Sequence, residues 1–128
     1  GATVGYGHLI PREEWARLGQ GGTLAEAEQL LRKDLVPFEL TVNRGLRVAL
    51  SQHQFDALVI LCYNIGGGNF SRSSVLKLVN DAAAATPYPA LQAAWMAWTR
   101  SQGKVMKGLV NRRGAEWRMY SSGDYSHW

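Results

Sequence analysis

Ser51-Gln52-His53-Gln54-Phe55-Asp56-Ala57-Leu58-Val59-Ile60-Leu61-Cys62-Tyr63-Asn64-Ile65-Gly66 is the stretch that decides the fold. Ser51 and Gln54 form a capping-box pattern at its start, and Phe55, Leu58, Val59 and Cys62 recur at helical spacing. Gly66, Gly67 and Gly68 then supply a stop. The pattern predicts a strongly apolar helix at the centre of the molecule.

Outward from it, toward the N-terminus, Thr23 and Glu26 make a second capping box. They open a helix through Leu24, Ala27, Leu30, Leu31 and Leu35, which Pro37 is expected to kink or interrupt. Further upstream, Pro11 with Glu13 and Glu14 predicts a short helix halted by Gly19. The glycines of Thr3-Val4-Gly5-Tyr6-Gly7-His8 suit the tight bends of a small β-hairpin. Toward the C-terminus, short helices are expected from Ser73 to Val79 and from Pro89 to about Arg100, the latter carrying Leu91, Trp95 and Trp98. A last helix is expected from Leu109 to Tyr120. No repeat or linker divides the chain, so the reading is one domain over 1–128, mostly α-helical α+β, with a β-hairpin remnant at its N-terminus.

The 128 residues are 46% apolar, enough for a core that buries roughly two-thirds of the unfolded chain's surface. A net charge of +4 and a pI near 9.5 favour an anionic partner, whether nucleic acid or bacterial envelope. The basic residues are dispersed and no zinc-finger, RRM or basic-zipper pattern is present, which points away from nucleic acid and toward envelope polymer. Cys62 is the sole cysteine, so no internal disulfide can form, and its apolar neighbours predict a buried structural thiol. The longest apolar run, Ala57 to Tyr63, is far short of the roughly 20 residues a membrane span needs. His8, His53 and His127 are not at metal-ligand spacing, so no metal site is expected.

Three segments in a fixed order carry a more specific signal. They are Thr3 to His8, Asp56 to Gly66, and Gly103-Lys104-Val105-Met106-Lys107-Gly108-Leu109-Val110-Asn111-Arg112-Arg113. Together they resemble the bacteriophage-type lysozymes of glycoside hydrolase family 24, muramidases that cut the glycan strands of peptidoglycan. The resemblance runs from Gly1 to about Tyr120 and implies a lysozyme-like helical lobe. It also implies hydrolysis of the β-1,4 bond between N-acetylmuramic acid and N-acetylglucosamine, without a cofactor, by a monomer acting on the wall from the periplasm.

In that family the Thr of the first segment follows a catalytic Glu and an Asp or Cys at fixed spacing. Both positions count back to before Gly1, so the sequence is expected to be N-terminally incomplete and to lack wall-clearing activity when taken alone. The acids within it include Glu13, Glu14, Glu26 and Glu28, which lie in first helical turns where the dipole explains them.

The resemblance assigns Thr3 to the catalytic group, its hydroxyl holding a water opposite the leaving sugar; from composition alone it is an ordinary strand residue. Leu9 matches a cleft-lining position and reads equally as core. Tyr63 and Asn64 suit a saccharide groove, since an aromatic face stacks on a sugar ring and an amide offers both donor and acceptor. Each also fits ordinary helix-end or core chemistry. Ser73 and Gln92 fall on groove-lining positions of the family. Arg112 and Arg113 point about 100° apart on a helix, so only one faces a given site. The resemblance nominates Arg112 to fix the catalytic Glu, leaving Arg113 to pair with Glu116 or stand exposed. His8 is expected to tie the hairpin to a carboxylate of the helical lobe. Trp15, Trp95, Trp98 and Trp117 read as core.

Two other readings compete. A catalytically inactive muramidase fold would serve as a peptidoglycan-binding or protein-docking module, and a basic nucleic-acid-binding domain would explain the charge but none of the motifs. The owner of an active domain would be a phage endolysin or an antibacterial effector.

Overall fold

The computed structural model describes residues 24–101 and 103–125. The expected N-terminal hairpin and the helix after Pro11 lie outside the described residues. The described part is mostly helical. Helix α1 spans Leu24–Gly45, α2 Gln52–Ile65, α3 Gly67–Ser71, α4 Ser74–Asn80 and α5 Leu91–Met96. A two-stranded hairpin, β1 Arg100–Ser101 and β2 Lys104–Val105, precedes the last helix, α6 Lys107–Ser122.

Helix α2 is the central element. Ser51 and Gln54 form the expected capping box: Gln54 Oε1 accepts from the Ser51 backbone N–H at 3.0 Å, and it also accepts from the Ser51 hydroxyl at 3.1 Å. Every residue from Phe55 to Cys62 is buried, because α6, α1 and α3 all pack on it. A helix enclosed on all sides must be apolar all round, and this one nearly is. It stops at Gly66, whose φ of 94° is a conformation other residues rarely adopt and whose N–H closes on the Cys62 carbonyl at 2.8 Å. Gly67 and Gly68 do not extend the stop. They begin α3, which is held down by fully buried Phe70.

Pro37 neither ends nor interrupts α1, which continues to Gly45. The residue itself is exposed. Leu35 and Val42, both with 0% exposure, anchor the helix to the core on either side of the proline. Packing on both flanks outweighs the local penalty.

Helix α5 is shorter than its predicted span. It ends at Met96, and the chain turns through Trp98 and Thr99 into the hairpin. Arg100 pairs with Val105 and Ser101 with Lys104. Gly103, at φ 79°, makes the turn, and the Met106 N–H closes the pair on the Thr99 carbonyl at 2.8 Å. Helix α6 runs past both of its expected ends and stops where Gly123 takes the left-handed conformation. The core joins Leu35 and Val42 of α1 and the α2 run to Phe70, Val75, Leu76, Leu78, Trp95, Met119 and Tyr120. Cys62 lies inside it, and burial pushes its thiol up to about 12.

Candidate active site

The C-terminal end of α2 and the middle of α6 bring two of the sequence-nominated residues together. The Arg112 guanidinium donates to Asn64 Oδ1, and Asn64 Nδ2 donates in turn to the Ile60 carbonyl at 3.1 Å. The second bond spans one turn of α2, so the amide's orientation is set by its own helix and its oxygen is presented to Arg112. Both side chains are half-buried. A guanidinium held this way is aimed before any substrate arrives.

Tyr63 precedes Asn64 and is also half-buried. Its ring meets Phe38 of α1 edge-on, with centroids 5.3 Å apart and planes at 90°, so part of it belongs to the packing between α1 and α2. Gln92 is exposed on α5. Ser73 is 4% exposed and committed to the backbone: its hydroxyl donates to the Phe70 carbonyl at 2.7 Å and accepts from the Leu76 N–H at 3.1 Å. It is the N-cap of α4, so any bearing it has on a groove comes through the position of that helix. Thr3, Leu9 and His8 lie outside the described residues.

Arg113 is the residue whose surroundings the sequence misled on. It pairs with Glu116 as one of the expected alternatives, Nη2 to Oε2 at 2.8 Å, but far from any surface, with exposures of 1% and 0%. Trp95 Nε1 donates to the other carboxyl oxygen at 3.0 Å. Arg113 Nη1 reaches the Trp98 carbonyl at 3.5 Å, while its Nε finds no partner among the described residues. Trp95 in turn packs against Trp117 and Tyr120, and Trp117 stacks on Tyr120 at 5.6 Å. Burial raises the Glu116 carboxyl to about 7, although Arg113 and Trp95 both pull it down. Burial likewise lowers the Arg113 guanidinium, against the attraction of Glu116. The spacing of three between Arg113 and Glu116 was a legible signal for pairing; nothing local signalled its depth.

Two other acids are enclosed by the fold. Asp56, with 0% exposure, accepts from Gln52 Nε2 at 2.8 Å and from the Tyr125 hydroxyl at 2.7 Å. Glu39 is 7% exposed, and burial holds its carboxyl above the usual range, with the charge of Asp56 pushing the same way. A general acid must meet a glycosidic oxygen. Carboxyls closed off as Asp56 and Glu116 are do not. Among the described residues, no group of three or more His, Cys, Asp and Glu side chains is placed to hold a metal ion, and no helix is long and apolar enough to cross a membrane.

Comparison with known proteins shows the family. The family described as phage lysozyme matches residues 1–116. An endolysin of Bacillus phage PZA is 41% identical over 128 residues, a match that covers 94% of this chain and 44% of that protein. A SAR-endolysin of Enterobacteria phage P21 is 35% identical over 114 residues, covering 89% of this chain and 65% of its own. Among solved structures, the muramidase domain of SpmX from Asticaccaulis excentricus superposes with a TM-score of 0.67 at 35% identity, over 79% of this chain and 69% of that one. An endolysin from Escherichia coli O157:H7 phage FAHEc1 gives 0.69 at 33% identity, over 80% and 65%. The chain thus spans less than half the length of the PZA endolysin and about two-thirds of the others.

Proposed function

The chain belongs to the phage lysozyme family, and from that premise we propose that it is the catalytic module of a peptidoglycan hydrolase that cleaves the β-1,4 bond between N-acetylmuramic acid and N-acetylglucosamine. The observation that carries the reading is the Arg112–Asn64 bond at the end of α2. A cation oriented by an amide that is itself bonded to its own helix is suited to fix a catalytic carboxyl, which supports an active site over a disused one.

Hydrolysis breaks the bond from the anomeric carbon to the bridging oxygen. A proton goes to the departing oxygen, and water supplies the hydroxyl that replaces it. The proton donor is assigned to the family's Glu, in a position before Thr3. Arg112 orients that carboxyl and Thr3 holds the water. Leu9, Tyr63, Asn64 and Gln92 line the sugar groove, and Ser73 bears on it by capping α4. The residues from 1 to 128 form one domain. It works as a monomer on the wall, from the periplasmic side where the wall is reached through a periplasm, and needs no cofactor.

The test is reducing-end release from purified peptidoglycan by the complete protein, its Thr3→Ala variant and its Arg112→Ala variant. The unmodified protein is expected to release reducing ends. Each variant is expected to lose about a hundredfold or more in rate, Thr3→Ala with its thermal midpoint little changed. A complete protein that binds peptidoglycan but releases nothing would overturn the assignment in favour of a binding module. Undiminished turnover in Thr3→Ala would remove that residue from the mechanism.

A further inference from the structure

The C-terminal end of α1, the turn that follows it, α3 and α4 enclose a cleft of about 610 Å³. Arg44, Arg47 and Lys77 line it, all exposed, and none of its lining residues is acidic or aromatic. Among the described residues, none of the three cations has a carboxylate partner. Positive charge is thus concentrated in one concave place on a chain whose basic residues are otherwise dispersed along the sequence.

The walls are held at a set distance. Asn80, which ends α4, donates to the Gly45 carbonyl at 2.8 Å and accepts from the Arg47 N–H at 2.7 Å. This stitches the turn after α1 to α4. A side chain at Gly45 would place its Cβ 2.7 Å from Leu76 Cδ2, so the two helices approach as closely as a glycine permits. Arg44 and Arg47 stand on one side, Lys77 on the other, and the glycines at 67 and 68 leave the third side without bulk.

We propose that this cleft binds a phosphodiester-linked anionic polymer of the bacterial wall, with Arg44, Arg47 and Lys77 neutralising its phosphates. Guanidinium groups match phosphate oxygens in pairs, and an ammonium serves as a point charge beside them. Single-stranded nucleic acid is disfavoured because no aromatic face is available for base stacking. A membrane surface is disfavoured because interfacial binding joins basic to apolar side chains, and the exposed large apolar residues Val36, Leu40, Val48, Tyr88, Val105 and Met106 all lie outside the cleft. Gly66 alone separates α2, which carries Tyr63 and Asn64 near its end, from α3, whose Gly67 and Gly68 line the cleft. The choice of a wall polymer rests on the hydrolase reading above; the anion site itself rests on the cleft.

The test uses the complete protein and a poly(glycerol phosphate) chain as probe, titrated calorimetrically at low and at physiological salt. Binding is expected, weakening as salt rises. The combined Arg44→Gln, Arg47→Gln, Lys77→Gln variant is expected to lose affinity about tenfold or more. A control with Lys33→Gln, Arg100→Gln and Arg118→Gln, removing equal charge elsewhere, is expected to change by less than about twofold. Equal losses in the two variants would overturn the site, since net charge would then explain binding. Cleft-dependent binding of anionic phospholipid vesicles or of single-stranded DNA at matching strength would overturn the assigned partner. Hydrolysis of polymer-free peptidoglycan without any polymer binding overturns this inference alone. Cleft-dependent polymer binding in a protein that releases no reducing ends supports the inference and overturns the hydrolase reading instead.

Discussion

Arg112 and Arg113 are neighbours on α6, and the turn between them sends one guanidinium to Asn64 and the other into the core against Glu116. Their losses should therefore differ in kind. Removing Arg113 strands a carboxylate with no exposure, so Arg113→Ala is expected to cost about 3–5 kcal/mol in a urea titration, a large share of a domain's total stability. Arg112→Ala gives up a half-buried bond worth about 1–2 kcal/mol, and its larger effect belongs to hydrolysis by the complete protein. Glu116 also makes stability depend on pH. Burial lifts its carboxyl from the ordinary 4.5 to about 7, so between those values the folded state holds a proton that the unfolded chain releases. Stability from this group is complete below about pH 4.5 and falls as pH rises through about 7. Urea midpoints at pH 5 and pH 8 should show a smaller drop in Glu116→Gln than in the unmodified protein; an equal drop would mean that other groups govern that window.

At the scale of elements, the most instructive case is Pro37. It sits in the interior of α1 at an exposed position, so it contributes no core packing while removing one helical hydrogen bond. Thr41 donates its hydroxyl to the Pro37 carbonyl at 3.0 Å, adding a local side-chain bond one turn on. Pro37→Ala is expected to stabilise the protein by about 1–3 kcal/mol, read as a higher thermal midpoint; a lower one would show that the proline's geometry is required where Leu35 and Val42 meet the core. The capped helices were the legible elements, because Ser51 with Gln54 carries its own start signal in side-chain chemistry. The hairpin before α6 was not legible. Its strands are two residues each, Lys104 and Val105 are exposed, and only Gly103 marks the turn, so no alternation of apolar and polar positions could announce it.

For the molecule as a whole, α2 is the axis on which the C-terminal segment closes. Beyond α6, Tyr125 reaches back to donate to Asp56 at 2.7 Å, and His53 Nδ1 lies 2.9 Å from the Met119 carbonyl. Burial, then the bond to Asp56, raises the Tyr125 phenol above its ordinary range, so it remains a donor at physiological pH. Tyr125→Phe deprives a fully buried carboxylate of one of its donors and is expected to cost about 1–3 kcal/mol; an unchanged urea midpoint would mean that the segment does not clasp the helix in solution. The sequence by itself determined the helical class, the central place of α2, the burial of Cys62 and the family, since periodicity, caps and ordered motifs are written in local residue order. It also nominated Arg112 and Asn64 separately. Only the tertiary structure decided that these two meet, that Ser73 spends its hydroxyl on the start of α4, that Arg113 and Glu116 are sealed beneath Trp95, and that Arg44, Arg47 and Lys77 share one cleft. The reason is physical: burial and charge proximity depend on which helix faces which, and residues far apart in sequence settle that together through packing.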